Sequence, residues 1–407
     1  MTAKLMIGAL LFGQMITAGL FDATAVAMEK EKSNLQAVVT GNSEFAMDLY
    51  KTINIADAKK NVFFSPFSIS TALSMTYAGA RGNTEKQMAD TMHFSLGQSE
   101  LHPAFSELAS TLQAEHKGYR LEIANALWGQ QGYEFQPDFM ALIQKEYNGG
   151  FHTVDFSNQT EESRGIINSW VGQKTNDKIK DLLAKGSLTS LTRLVLTNAI
   201  YFKGDWEHKF KSEETKLSPF HIQSDEIVNV PMMHQSGNFR YAQIDGVKVL
   251  ELPYVGGDLS MVAVLPKETV AEFDQGLDAN RLNNWLAETT EQDVNVFLPK
   301  FKFEDKYELN DILPGMGMTD AFDLPPADFS GISGKKDLYI TKVIHKAVIE
   351  VNEEGSEATA ATAVVIGLKS VLFKPEFKAD RPFLFFIRHN STGSILFLGR
   401  VMNPECK

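Results

Sequence analysis

Cysteine is nearly absent. The only one among 407 residues is Cys406, next to the C-terminus, so no intrachain disulfide can form and no cysteine pair can hold zinc. Stability must come from packing, which a chain of this length can supply. Positive charge is also short: 39 Lys and Arg stand against 51 Asp and Glu, a net charge of −12. A nucleic-acid binder gathers basic residues on one stripe, and the KFK pieces here are isolated, so nucleic acid is excluded as a partner. There is no Gly-x-Ser-x-Gly elbow and no His-Glu-x-x-His, and the 9 histidines are scattered, so neither catalysis nor a metal is expected. Gly315-Met316-Gly317 lacks the third glycine and the preceding strand of a dinucleotide fingerprint, and no cofactor is expected. No Pro/Gly/Ser-rich linker, repeat or low-complexity run divides the chain. No apolar run is long enough to span a membrane.

What is present begins with residues 1–27. Lys4 gives a positive start, Leu5 to Leu20 is apolar apart from interruptions such as Gln14, and Ala25-Val26-Ala27 is an A-x-A cleavage site. A signal peptide and a secreted mature chain of residues 28–407 are expected; the competing reading is a buried amino-terminal helix. Asn158-Gln159-Thr160 and Asn390-Ser391-Thr392 are sequons for glycosylation.

Helical and strand periods alternate along the rest, an α+β pattern. Asn34 to Asn54 spaces Phe45, Met47, Leu49 and Tyr50 as in an amphipathic helix. Val62-Phe63-Phe64 reads as a short strand, and Ser65-Pro66 as an N-cap followed by proline at the first helical position. The helix that follows carries Ser68, Ser70, Ala72, Ser74, Ala78 and Gly79, so it can lie close to a neighbour. Thr84 with Gln87 predicts a capping box. Tyr119 to Trp128 reads as a strand with Asn125 the polar exception on its apolar face, needing a partner if buried. Gln136–Tyr147 and Glu161–Leu183 are expected helices. Arg193–Phe202 is an apolar run expected to be a strand buried on both sides. Phe239–Pro266 and Val294–Phe303 predict further strands, Asn310–Phe322 a short helix, and Leu338–Val351 a last long strand.

That strand runs into Asn352–Phe373, NEEGSEATAATAVVIGLKSVLF. The interleaved Thr and the Val-Val-Ile tail favour extended chain over helix. At a period of two, Ser356, Ala358, Ala360, Thr362, Val364 and Ile366 share one face, small to apolar; Glu357 lies on the other. Such a strand could slide between two others without carrying bulk or charge into the core.

The segment IEVNEEGSEATAATAVV resembles the hinge and reactive-centre loop of serpins. FKADRPFLFFIRHNSTGSILFLGRVMNP, from Phe377 to Pro404, is similar to their carboxy-terminal signature. The likeness continues through most of positions 35 to 405. It implies a serpin fold: one large domain with a main mixed β-sheet, two further sheets, about eight to nine helices and an exposed loop at about 353–376. It implies a hinge of Glu353, Glu354, Gly355, Ser356, Glu357, Ala358, Thr359, Ala360, Ala361 and Thr362. By the same resemblance Ser65, Ser68, Asn198 and His345 form a polar cluster where the central strands part, and Trp206, Lys300 and Glu353 meet at the top of the sheet. Counting Glu353 as the first position, the usual serpin spacing of seventeen lands on Lys369, so the cleaved bond is expected at Lys369-Ser370. A shift of one residue would place it after Leu368.

The implied function is a suicide substrate for serine endopeptidases, trypsin-like for a lysine at the bond, trapped in a covalent 1:1 complex. Cleavage at Leu368 would instead point to chymotrypsin-like or cysteine proteases. The rival is a non-inhibitory serpin acting as carrier, chaperone or store. The resemblance further implies a monomer able to form loop–sheet polymers. In Ser99–Lys117, the region similar to the heparin-binding helix of some serpins, the only lysine is Lys117, which argues against a heparin-type polyanion.

Overall fold

The computed structural model describes residues 3–405 except 57, 114–117, 224, 268, 275 and 356–373, and leaves out the side chains of 3–27, 56 and 271. The leader side chains, the hinge from Ser356 to Thr362, and Leu368, Lys369 and Ser370 therefore lie outside the described residues. In chain order the elements are α1 (Ala3–Ala56), β1 (Val62–Phe64), α2 (Pro66–Tyr77), α3 (Gly82–Met92), α4 (Gln98–Gln113), β2 (Tyr119–Gln130), α5 (Pro137–Glu146), β3 (Phe151–Val154), α6 (Thr160–Lys174) and β4 (Leu194–Gly204). There follow β5 (Lys216–Gln223), β6 (Glu226–Ile244), β7 (Val247–Pro253), β8 (Leu259–Pro266), α7 (Val270–Asp274), α8 (Ala279–Glu288), β9 (Thr290–Pro299) and β10 (Phe301–Glu308). The chain closes with α9 (Ile312–Gly315), α10 (Ser330–Ser333), β11 (Lys342–Val351), β12 (Glu376–Lys378), β13 (Phe383–His389) and β14 (Ile395–Val401). The described residues hold ten α-helices rather than eight to nine, the excess being one-turn pieces such as α9 and α10.

The main sheet has five strands in the order β10-β11-β4-β2-β3. Its central pair, β11 and β4, is parallel, while β10 and β2 flank it antiparallel, so the sheet is mixed as expected. The two further sheets are joined. β6 is 19 residues long, gives its first part to β5 and its last to β7, and so links everything outside the main sheet into one nine-stranded set.

Both faces of the central strands are apolar. Leu194, Leu196, Ile200, Val343, Ala347 and Ile349 belong to the larger core, with α2 residues such as Phe67, Leu73 and Met75. Val195, Ala199, Ile344 and Val348 face a second cluster built on Ile167 and Val171 of α6. This alternation is why Arg193–Phe202 reads as nearly continuous apolar sequence.

Several expected boundaries move. α6 stops at Lys174 because Asn176 and Asp177 take left-handed φ of 47° and 59°. The helix expected over 310–322 splits around Gly317 (φ 118°) into α9 and a 3₁₀ turn at Asp320–Phe322. β11 begins at Lys342, not Leu338; the preceding chain is drawn off by bonds such as Ile340 N to Ala321 O. Thr84 and Gln87 form no capping box. α3 starts at Gly82, and these side chains serve distant backbone instead: Thr84 Oγ1 accepts from Asp328 N at 3.0 Å, and Gln87 Oε1 from Asp320 N at 2.8 Å. The Ser65 cap forms as predicted, its hydroxyl accepting from Ser68 N at 3.1 Å with Pro66 at the start of α2.

Candidate functional site

Register places a row of polar side chains across the main sheet. Tyr307 of β10 pairs with His345 of β11, His345 with Asn198 of β4, and Asn198 with Asn125 of β2. The start of α2 lies beneath. His345 Nε2 accepts from Ser65 N at 3.1 Å, so its proton sits on Nδ1 and is donated to Asn198 Oδ1. Asn198 Nδ2 donates to Ser68 Oγ at 2.6 Å and to Asn125 Oδ1. Ser68 Oγ donates to Asn125 Oδ1 at 3.1 Å, and Ser65 Oγ to Leu396 O of β14 at 2.6 Å. Ser65, Ser68 and His345 are 0% exposed and Asn198 1%. Burial pushes the His345 pKa down to about 3, so the imidazole is neutral. A dry network of this kind is stable when complete and costly when half broken. It is a latch: β4 and β11 cannot separate without losing the His345–Asn198 bond.

The four residues expected to cluster do meet. Asn125 is the fifth member and was not assigned to the cluster. Its signal was visible, as the one polar side chain on an otherwise apolar strand face.

At one end the latch's two strands are already parted. β4 and β11 are in register from Val195 and Lys342 to Tyr201 and Val348, and no further. Beyond that point, among the described residues, the ladder partners of Ile349–Val351 lie on β10 and those of Phe202–Gly204 on β2. The chain leaving β11 turns back above this gap. Asn352 and Gly355 form a bridge, with Gly355 at φ 94°. A side chain there would put its Cβ 2.2 Å from Gly204 O and 2.5 Å from Trp206 N, so glycine is required by both its φ and its neighbours.

The turn is pinned from the segment after β4. Trp206 Nε1 donates to Asn352 O at 2.9 Å, Trp206 N to Glu354 O at 3.0 Å, and Phe210 N to Glu353 O at 2.9 Å. The Trp206 ring stacks on Tyr254 with centroids 4.6 Å apart. Lys300 Nζ reaches Glu353 Oε2 at 2.6 Å, and Thr215 Oγ1 donates to Oε1 at 2.8 Å. Burial works against the Glu353 charge, yet these donors outweigh it and hold the carboxyl below the usual carboxylate range. Trp206, Lys300 and Glu353 therefore come together as expected; Thr215 and Lys209, which meets Glu354 at 3.1 Å, were not foreseen. Among the described residues no cluster of His, Cys, Asp and Glu could hold a metal, and no helix is long and apolar enough to cross a membrane. α4 carries no Lys or Arg from Gln98 to Gln113.

A mixed sheet whose parallel central pair parts beyond Tyr201 and Val348, a buried polar network below that point and a pinned turn at Asn352–Gly355 above it make up the site. The family model described as serpin (serine protease inhibitor) matches residues 40–404. Leukocyte elastase inhibitor of Xenopus tropicalis is 46% identical over 380 residues, covering 91% of this chain and 100% of that protein. The Homo sapiens protein of the same name is 42% identical over the same shares. Among solved structures, uncleaved ovalbumin superposes with a TM-score of 0.82 at 32% identity, over 90% of this chain and 100% of that one. Human thyroxine-binding globulin gives 0.83 at 32%, over 91% and 99%. The chain belongs to the serpin family, a family of protease inhibitors, and is not an enzyme.

Proposed function

We propose that the chain inhibits serine endopeptidases as a suicide substrate. The protease serine attacks the loop's scissile carbonyl, forms an ester with it and releases the downstream amine. The freed hinge then enters between β4 and β11 before water can cleave the ester, and the protease remains bound covalently, one to one. The observation that carries this reading is the gap beyond Val348 and Tyr201, with Gly355 seated directly over it. Because β4 and β11 are parallel, a strand turning back at Asn352–Gly355 runs antiparallel to both. One parallel ladder is thereby exchanged for two antiparallel ones, the more stable kind per residue. Strand insertion with release of stored strain is the general behaviour of serpin reactive loops, and this reading extends it to the present chain.

For the bond itself the hinge count favours Lys369-Ser370, whose lysine fills a pocket with an acidic floor. The relatives named leukocyte elastase inhibitor favour a second reading: elastase has a small apolar pocket, which suits cleavage after Leu368 better than after lysine. Lys369→Ala is expected to abolish trapping of trypsin, and sequencing the fragment released from the complex should begin at Ser370. A fragment beginning at Lys369 overturns the register and with it the trypsin-like target. The carrier reading draws on the match to thyroxine-binding globulin, but the relatives of higher identity are named as inhibitors.

Export is part of the proposal. The family match begins at residue 40, so the apolar segment with its Ala25-Val26-Ala27 site precedes the shared domain. Amino-terminal sequencing of protein recovered from the medium of a secreting host should start at Met28; retention of Met1 in a cell-associated product contradicts it.

A further inference from the structure

The fold holds the two sequons in opposite ways. Asn158 lies in the turn between β3 and α6, and it and Gln159 are exposed. Its Nδ2 stands 3.2 and 3.0 Å from the two oxygens of a single carboxylate, that of Asp155. One amide hydrogen shared between those oxygens makes both contacts and leaves the second hydrogen free. The backbone N–H of Asn158 donates to the same carboxylate at 3.1 Å, so the turn does not depend on the spare hydrogen.

Asn390 opens the turn between β13 and β14 and is half-buried. Its Nδ2 donates to Gly257 O at 2.7 Å and to Ser260 Oγ at 2.9 Å, so both amide hydrogens are spent on separate residues. Its Oδ1 is buried, and its backbone N–H donates to Asp258 O at 2.8 Å. The sequon hydroxyl is taken as well: Thr392 Oγ1 is bonded to His389 Nδ1 at 2.8 Å and accepts from Ser394 N at 3.3 Å. Chain order sharpens the contrast. Gly257 and Ser260 are already made when Asn390 emerges, whereas Asn158 emerges before β4, β10 and β11 exist.

We propose that Asn158 carries an N-linked oligosaccharide and that Asn390 carries none, a reading that rests on the export proposed above. The donor is a lipid-diphosphate-linked oligosaccharide, which the secretory compartment supplies with its transferase. Asn158 Nδ2 bonds the anomeric carbon of the sugar. The anomeric C–O bond breaks, its electron pair leaves with the lipid diphosphate, and the amide gives one proton to base. The secondary amide keeps one hydrogen for Asp155. At Asn390 the same bond would forfeit the contact to Gly257 or to Ser260 and drive a sugar against β8. The site at Asn158 is also out of the way. Asp155 accepts from Gln130 Nε2 at 3.0 Å, at the end of β2 where Gly129 pairs with Leu194. That end of the main sheet is remote from Asn352–Gly355, so the glycan does not crowd the turn from which the loop departs.

The test is synthesis of the full chain with microsomes, followed by endoglycosidase digestion and peptide mapping. The membrane-protected chain should carry one glycan, lost in Asn158→Gln and retained in Asn390→Gln. Thr160→Ala destroys the sequon but keeps the Asn158 amide; it should lose the same glycan, and it decides the site if Asn158→Gln does not fold. A protected chain with no glycan, with two, or with its one glycan on Asn390 overturns the proposal. A chain left outside the microsomes contradicts export instead. A foreign signal peptide placed before the full chain then decides the glycans by the same outcomes.

Discussion

Ser356→Arg is expected to turn the inhibitor into a substrate. In the unmodified chain a target protease should end mainly in a complex that survives detergent; in the variant that band should fall to a trace while nicked chain accumulates. Ser356 is the next residue after Gly355, which sits over the gap between β4 and β11, and at a period of two it belongs to the set of positions that carries no charge. Insertion would draw the arginine between two strands whose flanking faces are apolar on both sides. An unpaired guanidinium there costs several kcal/mol. Each ~1.4 kcal/mol on the insertion barrier slows it about tenfold, and insertion competes directly with hydrolysis of the ester. A variant that still forms the stable complex at unchanged stoichiometry would show that the hinge does not pass through the sheet as a strand.

The second large effect is a loss of stability in mild acid. The closed latch binds His345 neutral with its pKa pushed down to about 3, whereas the ordinary imidazole value is 6.5. A proton on Nε2 would face the Ser65 N–H that Nε2 now accepts from, so the folded state refuses it. Stability from this group is therefore complete above pH ~6.5 and declines as pH falls towards ~3, at up to about 1.4 kcal/mol per pH unit for one proton. His102, pushed down to about 4 chiefly by burial, works in the same sense. Asp305, pushed up to about 6 by burial, works in the opposite sense: its contribution is present at low pH and is lost as pH rises through 6. Its hydrogen-bonded neighbour Tyr307, whose ring faces His345 at a centroid distance of 6.4 Å, stays protonated throughout this window because burial raises its pKa. Denaturant midpoints at pH 7.5, 6 and 5 should fall steadily, and in His345→Gln the slope should shrink by about one proton's worth. An unchanged slope in that variant would show that the latch does not exclude the proton.

Sequence patterning carried further for the site than for the elements around it. The cluster of Ser65, Ser68, Asn198 and His345 and the meeting of Glu353 with Lys300 and Trp206 were legible because they sit in motifs shared with a known family. Their physical reason appeared only with register: His345, Asn198 and Asn125 stand level on three neighbouring strands. Local signals succeeded where the partner was local, as with the Ser65 cap three residues from Ser68 N. They failed where a distant partner won. Thr84 and Gln87 look like a capping box and are instead taken by Asp328 and Asp320, more than 230 residues away. The parting of β4 and β11 beyond Tyr201 and Val348 was not legible in either strand. Each carries one charged residue past that point, Lys203 and Glu350, but an alternation of this kind marks any half-exposed strand and does not say which neighbour is lost.

Amide hydrogen exchange on the chain after its loop has been nicked tests strand insertion most directly. If the freed arm enters between β4 and β11, residues 356–366 become as slow to exchange as the core strands on either side, since every amide then lies in a central ladder. If those residues exchange as fast as an unstructured peptide while the nicked chain remains folded, no strand has been added and the trapping mechanism proposed here is wrong.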